Sequence, residues 1–150
     1  MLTGPTALAL AAAFAGAAFY VNEAEQPARM ALNDASLLAE WKLSYARGYR
    51  MQASLAALSG AFGVIAAFQT GDWRWWPGAV LILVNWPYTL LVIKPVNDQL
   101  NALDNKNAAG ARALIDKWGR LHAVRTALGI LAVGAYLWPI AALEVRYLAS

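Results

Sequence analysis

The sequence predicts an all-α integral membrane protein: a bundle of four transmembrane helices with a short interfacial helix in the first long loop. Three observations carry that prediction. The 150 residues are 60% hydrophobic and only 14% charged, with a mean hydropathy of +0.43, outside the usual balance of a soluble domain. Four charge-free stretches hold the excess: Leu2 to Asn22, Met51 to Thr70, Trp75 to Ile93 and Thr126 to Leu143. Each is close to the ~20 residues that cross ~30 Å of hydrocarbon as a helix. Of the twelve Lys and Arg residues, four (Arg29, Lys42, Arg47, Arg50) fall between the first two stretches and six between Lys94 and Arg125. Strands do not fit, because the apolar runs lack strict alternation and are about twice the length of a barrel strand.

A single membrane domain is expected over residues 1–150, with spans near 2–24, 48–70, 75–96 and 119–143. No Lys or Arg precedes the first apolar run, which continues directly into polar helix-like sequence, so it is expected to stay as a span rather than act as a signal peptide. Asn33 or Asp34 is a candidate cap for a helix over Asn33 to Tyr45, and Leu37, Leu38 and Trp41 at helical spacing place it along the interface. In the third span, Pro87 of Asn85-Trp86-Pro87 removes a backbone hydrogen bond and bends the helix, which calls for help from Thr89 or a packed neighbour. Asn101 to Asn107 reads as a turn, and Ala108 to Leu121 as a helical lead-in to the fourth span. Trp73, Trp75 and Trp76 beside Pro77, with Trp138 and Tyr147, read as an aromatic belt at the far interface. Ala12 with Gly16, Ala56 with Gly60, and Gly60 with Gly63 are small-residue pairs that let helices approach closely.

The charge distribution sets an orientation. Only Arg74 and Arg146 lie on the side opposite the two basic loops, so the positive-inside rule places both long loops in the cytoplasm and both termini outside it, in a bacterial-type inner membrane. The net charge of +3 and pI near 9.4 are therefore a topology signal, with attraction to anionic headgroups of the bilayer as a secondary effect, and no nucleic-acid partner is expected. Without cysteine there are no disulfides and no thiolate metal sites. No haem, flavin or nucleotide motif, GxSxG elbow or HExxH segment is present, which leaves hydrolase and nucleotide-dependent chemistry without support.

The polar residues show a pattern of their own. Asn22, Glu25, Gln26 and Arg29 share one helical stripe at the end of the first span; Tyr45, Tyr49 and Gln52 make a second, and Trp118, His122 and Arg125 a third. With Asn97 at the end of the third span, all four helices send polar groups to the same end of the bundle. Convergence of Glu25, Arg29, Asn97, His122 and Arg125 is favoured because a charge near hydrocarbon is costly unless paired. One reading is a structural ion-pair cluster that closes the cytoplasmic end. Another makes His122, the only histidine, a proton carrier, with Glu25 as base or orienter and the arginines holding a phenolate or enolate. A mixed metal site on Glu25 and His122 is the weakest.

Four runs carry a family resemblance: Tyr20-Val21-Asn22-Glu23-Ala24-Glu25-Gln26-Pro27-Ala28-Arg29, Trp41-Lys42-Leu43-Ser44-Tyr45-Ala46-Arg47-Gly48, Pro87-Tyr88-Thr89-Leu90-Leu91-Val92-Ile93-Lys94-Pro95-Val96-Asn97 and Trp118-Gly119-Arg120-Leu121-His122-Ala123-Val124-Arg125. In content and order they resemble the anthrone oxygenase-like family of small four-span proteins, most without an assigned role. The resemblance implies oxidation of an anthrone to an anthraquinone by molecular oxygen without a conventional organic cofactor. By that resemblance His122 is the base, Glu25 its orienter, and Asn97 with Arg125 the groups that hold the substrate oxygen, with Arg29, Tyr45 and Gln26 beside them. Many relatives carry His where this chain has Gln26, which puts any ligand or relay role of that position in doubt here. Other readings are a non-catalytic membrane binding or assembly protein, whose cluster is structural or holds a lipid headgroup, and a small transporter that would need to form a homo-oligomer.

Overall fold

The computed structural model describes residues 2–105 and 108–148, without the side chains of residues 143–148. Residues 106 and 107 of the expected turn, and the Arg146 and Tyr147 side chains, lie outside the described set. Four helices long and apolar enough to cross a membrane make up the fold: α1 (Thr3–Met30), α2 (Asp34–Thr70), α3 (Trp75–Ala102) and α4 (Ala111–Leu148). α1 packs on α2 and α4, α3 packs on the same two, and α2 meets α4 across the short diagonal. Connections this short force consecutive helices to run antiparallel. Arg112 of α4 fastens the first connection by donating to the carbonyls of Met30 and Leu32, 2.7 and 2.6 Å, at the end of α1.

α2 begins where its cap is strongest. The Asn33 side chain accepts from the Ser36 amide at 3.0 Å, and Asp34 faces the positive end of the helix. α2 ends at Gly71, whose φ of +65° supplies a left-handed C-cap. The segment expected as a separate interfacial helix is the first third of this continuous helix. Leu37, Leu38 and Trp41 are fully buried, so the stripe read as a lipid-surface face packs into the bundle.

Along the bundle axis the interior has three layers. At one end Ala7, Ala11, Phe14, Ala56, Ile82 and Tyr136 belong to one apolar core. At the other, Leu37, Trp41, Ile93, Leu100, Ile115 and Trp118 belong to a second. Buried Gln52, Asn85, Thr89, His122, Arg125 and Thr126 lie between these clusters along their helices. The polar groups form an internal layer rather than the cap of the bundle.

Two widened turns flank that layer. Val21–Glu25 in α1 and Thr89–Ile93 in α3 are π-helical, and each is followed after one residue by a proline, Pro27 and Pro95. A proline ring collides with the carbonyl four residues back, here Glu23 and Leu91, which lie inside the widened turns. The turns thus absorb the prolines and re-aim Asn22 and Thr89. At Pro87 the helix is interrupted at Val84, and relief comes from Asn85, whose amide donates to the Leu81 and Ile82 carbonyls at 3.3 and 3.1 Å. Thr89, the residue expected to help, has a buried hydroxyl without a partner.

Small residues work as sockets for large side chains. A β-carbon on Gly63 would come within 2.2 Å of the Tyr136 hydroxyl and one on Gly78 within 2.4 Å of its ring, while Gly60 receives Leu83. Tyr136 donates to the Ser59 carbonyl at 3.1 Å, and Ser59 to the Ala7 carbonyl at 2.8 Å, so one aromatic insertion ties α4 to α2 and α2 to α1. Ala12 and Gly16, expected at a helix contact, face outward, with nothing near the Gly16 β-position. Trp73, Trp76 and Trp138 are exposed, whereas Trp75 turns inward and is buried against Gly4.

Candidate functional site

The polar layer divides into two parts with opposite electrostatic character. The first centres on Arg29, buried at the end of α1. Its guanidinium bonds the carboxylates of Glu25 and Glu40, the Gln26 side-chain oxygen at 2.9 Å and the Ser44 hydroxyl at 2.9 Å. Gln26 in turn donates to the Ile115 carbonyl at 2.9 Å and fills the socket left by Gly119, where a β-carbon would lie 2.7 Å from its amide nitrogen. The Trp118 ring lies 5.7 Å from the Arg29 guanidinium carbon. Two carboxylates, an amide and a hydroxyl saturate this cation. The knot ties α1 to α2 and α4, and its chemistry is that of a structural ion pair.

The second part centres on His122 and Arg125. His122 Nδ1 lies 2.8 Å from the Asn22 side-chain oxygen, the Thr126 hydroxyl donates to that same oxygen at 2.7 Å, and the Asn22 amide nitrogen donates to the Gly119 carbonyl at 3.0 Å. Turning the Asn22 amide over would set two carbonyl oxygens against each other, so its orientation is fixed and Nδ1 is the donor to Asn22. In the neutral ring Nε2 then carries the lone pair. The ring stacks on Trp118, with centroids 4.9 Å apart and planes inclined by 25°, which fixes its tilt.

Arg125 sits one turn further along α4 and is 6% exposed. Among the described residues no carboxylate and no hydrogen-bond acceptor reaches its guanidinium; Nε is buried without a partner, and the nearest compensation is the Phe14 ring, 5.5 Å from the guanidinium carbon. His122 and Arg125 line one cavity of about 40 Å³ with Tyr45, Tyr49, Gln52 and Glu25. That is room for a water or a dioxygen molecule. Arg125 and Tyr49 also line a second, smaller void of about 10 Å³ with Asn85, Thr89, Trp86 and Leu90. Trp86 and Leu90 are exposed on the outside of the bundle, so this void borders the seam between α2 and α3. The side-chain oxygens of Asn85 and Thr89 lack partners there, and that of Gln52 lacks one at the larger cavity.

The site residues expected from sequence fall on both sides of this division. His122, Arg125, Tyr45 and Glu25 line the larger cavity, but Glu25 is held by Arg29 and the residue that orients His122 is Asn22. Arg29 and Gln26 belong to the knot. Asn97 donates to the Tyr45 hydroxyl at 2.8 Å and reaches the cavity only through it. Asn22, Gln52, Asn85, Thr89 and Thr126 complete the polar layer. Asn22 was visible on the first stripe and Gln52 on the second, and Thr126 stands one turn beyond His122. Among the described residues no three His, Cys, Asp or Glu side chains come together as a metal ligand set, and the remaining carboxylate beside His122 is already paired.

The chain was compared with known proteins. No curated protein and no solved structure matches it. A family model described as anthrone oxygenase matches residues 41–135 of the 150, a stretch that holds Trp41, Tyr45, Asn97, His122 and Arg125. The chain belongs to the anthrone oxygenase family.

Proposed function

We propose that this chain is an integral membrane oxidoreductase that uses molecular oxygen to oxidise a lipophilic phenol or quinol of the anthrone type, with both termini on the non-cytoplasmic side. One observation carries the reading: a neutral-capable imidazole with an oriented lone pair shares a cavity with a buried guanidinium that has no anion of its own among the described residues. A self-satisfied cluster, as at Arg29, has no need of a ligand. The His122 and Arg125 part does, and family membership supplies the reaction class.

In the proposed reaction His122 Nε2 removes a proton from the methylene carbon of the anthrone. The electron pair left behind moves onto the carbonyl oxygen, where Arg125 stabilises the growing negative charge. The electron-rich ring carbon then gives its electrons to dioxygen, forming a carbon–oxygen bond and a hydroperoxide. The proton held by His122 completes the hydroperoxide; His122 then removes the second hydrogen of the same carbon as the O–O bond breaks, and the departing hydroxide takes that proton as water, leaving the quinone carbonyl. One dioxygen is consumed and one water released per substrate. Asn22 keeps Nε2 turned toward the cavity, since its oxygen occupies Nδ1. The cavity matches dioxygen in size, so the ring system lies against the bundle seam with only its reacting edge inward.

The test is oxygen consumption and quinone formation by purified protein across a panel of anthrones and quinols. His122→Ala should lower kcat by about 10²–10⁴-fold with helicity unchanged. Absence of turnover on the whole panel, or a variant as active as the parent, overturns the reading.

A further inference from the structure

Outside the bundle, between α2 and α3, lies a wide apolar groove of about 540 Å³ lined by Ala57, Ala61, Val64, Ile65, Leu83 and Trp86. Trp86 also lines the small void at Arg125, so the Trp86 ring is a wall common to groove and void, as Arg125 is to void and cavity. A broad apolar slot thus lies one side chain away from a buried cation that meets no carboxylate among the described residues. An unpaired buried guanidinium is costly, and the Nε of Arg125 is buried without a partner.

We propose that Arg125 and this groove form a binding site for a lipophilic carboxylate, its head paired with Arg125 and its apolar body lying along α2 and α3 behind Trp86. Charge, size and depth select the class. A carboxylate is ionised near neutral pH without help, whereas a phenol is not, and two carboxylate oxygens match the forked guanidinium. The Thr89 hydroxyl, unpartnered and lining the same void as Arg125, can donate to the same oxygens. A diacylglycerol phosphate cannot bring its headgroup to a layer set between two apolar cores. The occupant is a fatty acid drawn from the bilayer, and the site rests on the cavity of the oxygenase reading but not on its chemistry.

The probe is dibromostearate, whose bromines quench tryptophan on contact, titrated under anaerobic conditions into the full chain in lipid nanodiscs. Saturable quenching is expected that is lost in Trp86→Phe, absent with the dibromostearate methyl ester, and shifted to about tenfold or more higher concentration in Arg125→Gln. A brominated phosphatidate should give only the unsaturable background of the exposed tryptophans. Equal quenching by the acid and its ester, or an Arg125→Gln titration that overlays the parent, overturns the proposal, as does tighter quenching by the phosphatidate. Because no oxygen is present, saturable binding with no turnover elsewhere would sink the oxygenase reading alone, and turnover without saturable binding would sink this one.

Discussion

His122 on α4 and Asn22 on α1 are locked to each other at 2.8 Å across the bundle, and the Asn22 oxygen, shared with Thr126, decides which imidazole nitrogen faces the cavity. Replacing Asn22 by Leu removes that decision while keeping volume. The expected result is about a 10²-fold loss of kcat with little change in KM, from steady-state oxygen uptake. Equal activity would show that His122 keeps its tautomer without Asn22.

The two buried arginines should respond oppositely to removal. Arg125→Met deletes a charge that meets no carboxylate among the described residues, so the apo protein gains about 1–4 kcal/mol, a rise of at least ~2 °C in the melting midpoint. Activity falls at the same time. A melting point lowered in Arg125→Met would mean that a partner for the guanidinium exists.

Arg29→Ala leaves Glu25 and Glu40 facing each other without their cation. Their side chains are 25% and 35% exposed, so water softens the loss to about 1–3 kcal/mol. Thermal denaturation should show a clear drop. The ion-pair knot is a strut, and residual activity per folded molecule should stay near that of the parent.

Gly48 lines the His122 cavity, and its β-position meets nothing within 4 Å. Gly48→Ala, which places only the β-carbon found to be free of contacts, should narrow the cavity at no cost in stability and lower activity about tenfold, an estimate in line with a misplaced reactant. Comparison of kcat with the melting midpoint separates the two effects.

Gly63→Ala must displace the Tyr136 hydroxyl from 2.2 Å and with it the bond to Ser59, at about 1–3 kcal/mol. Gly16→Ala, in open space, should be neutral or slightly stabilising, since alanine is the better helix former. A denaturation series on the pair gives the contrast directly.

The four helices were legible because hydrophobic length and charge placement act locally along the chain. The polar stripes were legible for the same reason: helical spacing put Asn22, Glu25, Gln26 and Arg29 on one face of α1. Spacing does not state which residue of a stripe meets which neighbouring helix. For that reason Glu25 was matched to His122, when α1 brings Asn22 there and sends Glu25 to Arg29. The second apolar core was hidden because Leu37, Leu38 and Trp41 look the same whether they face lipid or α3 and α4. The widened turns before Pro27 and Pro95 depend on backbone hydrogen bonds that residue types alone do not specify, and they shift the register of everything after them.

The layered interior also governs how any occupant is supplied. With apolar clusters on both axial sides, the proposed site at His122 and Arg125 would draw on solutes dissolved in the bilayer through the seams between helices. Its occupancy follows moles of ligand per mole of lipid rather than moles per litre. Adding empty lipid at constant total ligand should lower the apparent affinity in proportion, the behaviour of surface dilution.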